Sequence, residues 1–393
     1  MFQMLLACAI LAGGMVAPAL AQLDELPHAD TTRGNYFGVS VSLDGTRALV
    51  GASGEHSCAP NAGAAYVYEY DDAVDRWRET ARLVPGDCEE NLFFGRQVAL
   101  SGDRVLIAAN AEYFAAVRTN AAYVFDRDST GSWQETARLT VNAPTEEGPL
   151  GASVSLEDDR ALVTTWGDVA NGRYGGAAYV FDYDPASGRW TQSARLSGPL
   201  HFGIFGADAA LSGDRLVVAS SSYFLPGVGY FYVFERTAAG EWRQAARFGS
   251  IDDFFISLDI DGDRILVGES KEHRSNIGTA TLYTRDSTGT WRHTGALQPP
   301  VPYKQGGFGS EVSLSDDRAI VAGYDEQLRL DINVDRVVYI FGYDAERDEW
   351  TYRSIVDIGT VAFGAALDLD NNVALIGAAS EHEAGAAYIV KLH

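Results

Sequence analysis

The feature that most constrains this chain is a sequence pattern that recurs seven times along its 393 residues. Successive repeats begin 49 to 57 residues apart, at Phe37, Phe94, Leu150, Phe205, Phe254, Phe308 and Phe363. A fixed period of this size indicates a repeat fold, in which each unit buries its apolar face against its neighbours. The length of the chain therefore does not require several ordinary domains.

Each repeat contains four short segments with strand character, separated by turns. The fourth segment opens with tryptophan, and six of the seven tryptophans occupy this position: Trp77, Trp133, Trp190, Trp242, Trp291 and Trp350. Four strands in a unit of this length are typical of a propeller blade, whereas a β-sandwich needs about seven strands and about 100 residues. We predict an all-β fold, a seven-bladed β-propeller with four antiparallel strands per blade.

The seventh repeat ends after its third strand, so its outer strand must come from elsewhere. Leu26-Pro27 precedes Phe37 much as Val84-Pro85 precedes Phe94. We therefore expect residues 22–26 to form the outer strand of the last blade and to close the ring. Residues 22–393 would then be a single propeller.

The N-terminal segment is predicted to be a signal peptide over residues 1–21. It is apolar and uncharged, and Ala19-Leu20-Ala21 fits the small-residue pattern that precedes cleavage. No lysine or arginine precedes the apolar run, which is also shorter than the ~20 residues that span a bilayer. We expect a secreted or periplasmic protein without membrane insertion after signal removal.

The composition is strongly acidic, with a formal net charge of −24. Such a surface repels phosphate backbones and anionic lipids, which excludes nucleic acid as an expected partner. Acidic side chains also keep an exported protein dispersed, and we expect a monomer.

Two cysteines, Cys58 and Cys88, remain after signal removal. Cys58 follows a second strand and Cys88 precedes the next blade, and both connections lie on one propeller face. An even number of cysteines in an oxidising compartment favours a disulfide between them. Two buried free thiols are the alternative.

The motifs at these positions resemble the FG-GAP repeat family. Phe37-Gly38 and Phe94-Gly95 match its repeat start, and Gly51-Ala52-Ser53 and Gly377-Ala378-Ala379 match the later stretch. The whole mature chain looks like the secreted bacterial branch of the family. Related repeats build the propeller head of integrin α-chains, so the resemblance implies seven blades and a binding role.

The integrin-type repeats carry calcium loops between their first two strands. The corresponding turns here are shorter and poorer in carboxylates, and Asp259, Asp261 and Asp263 come nearest to the required set. We favour a tight Asp-Gly hairpin turn at this place. We expect no cofactor, with calcium as the alternative.

No nucleophile elbow, zinc-protease motif or phosphate loop is present. Glutamate-histidine pairs occur after three second strands, at Glu55-His56, Glu272-His273 and Glu381-His382. The first and last pairs belong to neighbouring blades, and together they would suit a transition metal or acid–base chemistry. The remaining pair, Glu272-His273, lies in the fifth blade, which is not adjacent to them. The alternative is that these pairs are inherited loop sequence on a solvated rim.

The leading functional hypothesis is a non-enzymatic binding module that recognises a protein or a glycan through loops on one face. Phe224 and Tyr324 are candidate exposed contacts in such loops. The alternatives are an enzyme with a metal or acid–base site at the channel mouth and a structural envelope scaffold.

Overall fold

A computed structural model describes the chain over residues 22–30, 32–56, 58–109, 121–141, 150–166, 169–170, 173–198, 204–221, 229–251, 256–270, 278–301, 307–324, 336–360 and 363–392. The expected signal peptide, residues 1–21, lies outside these ranges. The described residues form seven antiparallel sheets of four strands each. The inner strands of successive blades contact one another around the whole ring. The predicted seven-bladed propeller is therefore confirmed.

The four strands of each blade occupy equivalent places in every repeat. The inner strands are Phe37–Asp44, Phe94–Ser101, Leu150–Glu157, Ile204–Ser212, Ile256–Asp261, Val312–Ser315 and Ala366–Asp370. The second strands are Arg47–Ala52, Arg104–Ala109, Arg160–Thr165, Arg215–Ser221, Arg264–Glu269, Arg318–Tyr324 and Val373–Ala378. The third strands are Ala64–Asp71, Ala121–Arg127, Ala177–Asp184, Gly229–Arg236, Thr279–Arg285, Arg336–Asp344 and Ala386–Lys391. The outer strands are Arg76–Leu83, Trp133–Thr140, Arg189–Leu196, Trp242–Ile251, Trp291–Leu297, Glu349–Val356 and Gln22–Glu25.

Two small elements lie outside this pattern. A short hairpin of Val169–Ala170 and Arg173–Tyr174 extends from the third blade. A single 3₁₀ turn, Glu381–Glu383, precedes the last third strand. No helix in the described ranges is long and apolar enough to cross a membrane.

The N-terminal strand closes the ring, as the sequence predicts. Gln22–Glu25 pairs with Ala386–Lys391 in antiparallel register, with Gln22 opposite Lys391 and Glu25 opposite Tyr388. The Lys391 ammonium then reaches the first blade, where it lies 3.1 Å from the carboxylate of Asp75. The two ends of the described chain are thus joined at the seam between the last blade and the first.

The apolar core is divided among the interfaces between blades. Each of the seven interfaces has its own cluster of buried side chains. Between the first two blades, Phe94 packs with Leu49 and Val67. The alternating pattern of each blade supplies apolar side chains to both of its faces, so every blade is held by two neighbours.

Where a repeat begins with Phe-Gly, this dipeptide brings the inner strand against the preceding blade. The Phe94 N–H donates to the carbonyl oxygen of Ala62 at 2.9 Å. Gly95 has φ +89°, and a Cβ at this position would lie 2.2 Å from the carbonyl oxygen of Ala64. Only glycine combines this backbone conformation with such a close approach, which explains why the repeat begins with this motif.

Side chains also cap the exposed edges of the inner strands. Seven positions after each repeat start, a side-chain oxygen accepts a hydrogen bond from the first turn residue of the next blade. The acceptor–donor pairs are Asp44–Gly102, Ser101–Asp158, Glu157–Gly213, Ser212–Gly262, Asp261–Asp316, Ser315–Asn371 and Asp370–Gly45. These bonds form a closed ring and satisfy main-chain N–H groups that have no strand partner.

The arginine that opens most second strands links neighbouring blades through ion pairs. The Arg104 guanidinium lies 2.6 Å from the carboxylate of Asp126 in its own blade and 2.7 Å from that of Asp159 in the next. Arg47 and Arg160 repeat this arrangement. The repeated arginine therefore has a structural role at the interface between blades.

Candidate functional site

The two propeller faces differ in the length of their connections. On one face, the first two strands of every blade are joined by only two residues. We call this the short-turn face. On the opposite face, the connections between second and third strands are 7 to 11 residues long. These connections, with those between blades, define the long-loop face: residues 53–63, 84–93, 110–120, 141–149, 166–176, 197–203, 222–228, 252–255, 270–278, 298–311, 325–335, 357–365, 379–385 and 26–36.

A disulfide braces the long-loop face beside the first blade. Cys58 is bonded to Cys88, with a Cα–Cα distance of 6.0 Å, which confirms the predicted pairing. The Asn61 amide also donates to the Asn91 side-chain oxygen at 2.8 Å. The second-to-third connection of the first blade is therefore fixed to the connection that enters the second blade.

Glu55 points into the first blade. Its carboxylate is buried, accepts a hydrogen bond from the Tyr66 hydroxyl at 2.5 Å, and accepts another from Arg82 Nε at 2.9 Å. Burial raises the pKa of Tyr66, and the hydrogen bond to Glu55 adds to this effect. His56 is exposed, and its Nδ1 accepts from the Asn61 N–H at 3.0 Å. The two side chains thus face different surroundings.

Glu381 and His382 lie in the 3₁₀ turn of the last blade. Burial raises the pKa of the Tyr388 hydroxyl, and a hydrogen bond with Glu381 adds to the shift. Glu381 thus contacts the tyrosine that corresponds to Tyr66. The side chain of His382 lies outside what the structure describes. In the described part of the chain, no three histidine, cysteine or acidic side chains are grouped to hold a metal ion.

The side chains of the other two predicted contacts, Phe224 and Tyr324, are not described. Phe224 lies outside the described residues, as do residues 272 and 273. Tyr324 ends the second strand of the sixth blade, opposite Arg336, and nothing is described of its side chain. A binding role for Phe224, Tyr324 or the glutamate-histidine pairs stays a prediction.

The three aspartates considered for calcium engage different partners. Asp259 accepts hydrogen bonds from the Leu314 N–H at 2.7 Å and from the Ser313 hydroxyl at 3.0 Å. Asp261 caps the turn of the next blade, and Asp263 lies 3.2 Å from the Arg215 guanidinium. Calcium at this turn also stays a prediction.

The central channel contains a group of acids that the sequence reasoning did not recognise as a group. The channel is a cavity of about 320 Å³ bounded by all seven inner strands. Four carboxylic acids line it: Asp208, Asp259, Glu311 and Asp368. Asp208 and Glu311 occupy the third position after their repeat starts, nearer the long-loop face, and the other two occupy the fifth.

Hydrogen bonds between blades hold these acids in place. Asp208 accepts from the Leu258 N–H at 2.8 Å, and Asp368 accepts from the Leu43 N–H at 2.6 Å. Glu311 accepts from the Ser257 hydroxyl at 3.1 Å. Most of these donors are neutral, so the acids gain little of the stabilisation that a close cation gives to a carboxylate.

Burial and mutual repulsion keep these acids protonated at unusually high pH. Burial raises the pKa of Glu311 to about 8, and the nearby carboxyl of Asp208 adds to the shift. Burial likewise raises the pKa of Asp259 to about 7, with a contribution from Asp368, whose own pKa rises to about 6. The channel therefore holds groups that exchange protons near neutral pH.

Solved structures of other proteins share the propeller architecture. A protein from Lactobacillus plantarum is 12% identical over 81% of this chain and 84% of its own, with a TM-score of 0.53. A putative 6-phosphogluconolactonase from Bacteroides uniformis is 13% identical over 82% and 85%, also with a TM-score of 0.53. The periplasmic gluconolactonase of Pseudomonas aeruginosa is 15% identical over 82% and 85%, with a TM-score of 0.50. These likenesses show a shared fold.

No curated protein matches the chain. A family profile described as FG-GAP repeat matches residues 22–68, 77–125 and 133–181. Each match runs from the outer strand of the preceding blade, through the inner and second strands, into the third strand of one of the first three blades. The other four blades have the same strand order and the same ring of capping bonds. The first three repeats thus match the FG-GAP repeat family, and the described chain is a seven-bladed propeller.

Proposed function

We propose that this protein is exported and acts as a binding module, which recognises a protein or a glycan through its long-loop face. The observation that carries the proposal is the difference between the two faces. Two-residue turns and ion pairs occupy the short-turn face, whereas every blade places a connection of 7 to 11 residues on the other. Long loops on a rigid scaffold are a common arrangement for recognition.

The bracing of these loops supports the same role. The Cys58–Cys88 disulfide and the Asn61–Asn91 hydrogen bond restrict two adjacent connections before any partner arrives. Restricting a loop in advance reduces the ordering cost of binding. A disulfide is also in keeping with the oxidising compartment expected for an exported chain.

The proposal is tested by affinity capture with residues 22–393 as bait against envelope and secreted extracts. One variant replaces residues 112–119 and 167–175 with Gly/Ser sequence, which leaves Glu55 and the disulfide intact. The matched control replaces residues 72–74 on the short-turn face. We expect a partner that the loop variant loses and the control retains, with both variants melting cooperatively. A partner retained by the loop variant and lost by the control would overturn the assignment of the face.

The channel acids favour one second candidate, an acid–base enzyme with its site at the channel mouth. A carboxyl with a pKa of about 8, such as that of Glu311, is suited to donate a proton near neutral pH. Because two of the similar structures are described as gluconolactonases, sugar lactones are the first substrates to assay. Turnover by the wild type that Glu311→Gln abolishes would support this candidate, and no turnover would remove it.

A further inference from the structure

Among the described residues of the long-loop face, two large aromatic side chains are exposed. Tyr36 is 46% exposed and precedes the inner strand of the first blade, and Trp166 is 45% exposed and follows the second strand of the third. Trp166 is also the only tryptophan outside the repeated position. Neither residue serves the interfaces between blades in the way that the repeated aromatics do.

Tyr36 occupies a backbone conformation that suits glycine better. Its φ is +54°, and its carbonyl oxygen accepts from the Val39 N–H in a tight turn. The second and sixth blades make the same turn, with Phe93 at φ +52° and Gly307 at φ +49°. A left-handed conformation costs a residue with a Cβ about 1–2 kcal/mol. Since Phe93 adopts the same conformation, the turn is a feature of the repeat, and what sets Tyr36 apart is the exposure of its ring.

The charge of the face indicates what these aromatics bind. The connection over residues 84–93 contains Asp87, Glu89 and Glu90 and no lysine or arginine. Glu89 and Glu90 are exposed, whereas Asp87 lies 2.7 Å from the Arg138 guanidinium and Glu383 lies 3.9 Å from that of the exposed Arg33. Together with the net charge of −24, Glu89 and Glu90 attract cationic partners and repel anionic ones.

Aromatic rings and carboxylates together recognise arginine and lysine. A cation over the face of tyrosine or tryptophan is attracted by the ring, and an adjacent carboxylate completes an ion pair. This chain already uses that chemistry between its own blades. The Arg104 guanidinium lies 4.2 Å from the centre of the Tyr183 ring and 5.0 Å from that of Trp190.

On the basis of the binding function proposed above, we infer that the long-loop face binds a lysine- and arginine-rich segment of a partner protein. Tyr36 and Trp166 receive the cationic side chains, and the exposed Glu89 and Glu90 steer the segment to the face. Aromatic residues of this kind dominate the binding energy of many interfaces.

A random dodecapeptide display library is the probe for this inference, panned on immobilised residues 22–393. Selected peptides are expected to be enriched in lysine and arginine and to bind more weakly as salt rises from about 0.05 M to 0.3 M. Their affinity falls at least tenfold for Trp166→Ala and for Tyr36→Gly, which also relieves the backbone strain. Tyr352→Ala is the matched control, because Tyr352 is 37% exposed on an outer strand, and it leaves affinity unchanged.

Three results would overturn the inference. The first is a set of selected peptides without enrichment in lysine and arginine, and the second is equal affinity of all three variants for the peptides. The third is a neutral glycan that binds through Tyr36 and Trp166 while the peptides do not bind. The last result leaves the proposed function intact, because a glycan would then occupy the same face. Failure of the loop-replacement capture experiment, in contrast, removes the proposed function itself.

Discussion

The close contact at the Phe-Gly motif predicts a large effect for a single added methyl group. In Gly95→Ala, the new Cβ would lie 2.2 Å from the carbonyl oxygen of Ala64, so the inner strand of the second blade must move away from the first. The left-handed φ of +89° adds its own penalty. Strain of about 1–2 kcal/mol from the backbone and about 1–3 kcal/mol from overpacking give a loss of roughly 2–5 kcal/mol.

Gly102→Ala is the matched control for this variant. Gly102 also has a positive φ, of +56°, but nothing lies within 4 Å of a Cβ built there. This variant should therefore lose only the backbone contribution, about 1–2 kcal/mol. Urea unfolding followed by tryptophan fluorescence measures both changes, provided that the slopes stay equal. Equal midpoints for the two variants would refute the explanation of the motif by contact between blades.

Three further predictions concern proton binding and the disulfide. The raised pKa of Glu311 means that its contribution to stability is present below about pH 4.5 and is lost as pH rises through about 8. Glu311→Gln should therefore flatten the dependence of the melting temperature on pH between 5 and 9. An unchanged slope of melting temperature against pH would contradict this prediction. Burial lowers the pKa of His28, whose ring stacks on Phe37 with a centroid distance of 4.0 Å, so the wild type loses stability as pH falls below 6.5. Between pH 7.5 and 5, His28→Phe should lose less stability than the wild type. An equal loss of stability in the two proteins would count against this prediction. Replacing Cys58 and Cys88 with serine should cost about 3–4 kcal/mol in urea unfolding, because the bridge closes a loop of 30 residues; an unaltered midpoint would show that the bridge does not stabilise the fold.

Much of the fold is predictable because each repeat has the same order of short apolar strands and turns. The position of Trp77 and its equivalents marks the outer strands. The outer strand that is missing after the last third strand is supplied by Gln22–Glu25. The strand bounds are less regular than the repeat starts. In the sixth blade the inner strand begins only at Val312, four residues after the repeat start at Phe308.

The channel acids give no local signal in the sequence, because each lies in a different repeat, on or beside its inner strand. In these strands, alternate side chains face the channel and cap the neighbouring blade, so positions three and five after the repeat start tolerate polar residues. Aligning the seven repeats would have revealed the signal. Ser40, Ser153 and Ser257 share the third position with Asp208 and Glu311.

Adjacency in sequence was a poor guide to the glutamate-histidine pairs. Tyr66 and Arg82 are opposite each other in neighbouring strands, and their side chains draw the Glu55 carboxylate into the blade. His56, the next residue, is exposed. The direction of a loop side chain depends on such tertiary partners, which no local pattern contains.

Hydrogen–deuterium exchange of residues 22–393, with and without the captured partner, tests most directly whether the long-loop face is the working surface. Protection is expected in the connections over residues 84–93, 166–176 and 379–385, with the turns over residues 72–75 and 128–132 unchanged. Protection confined to those turns would place the partner on the short-turn face and contradict the proposed function.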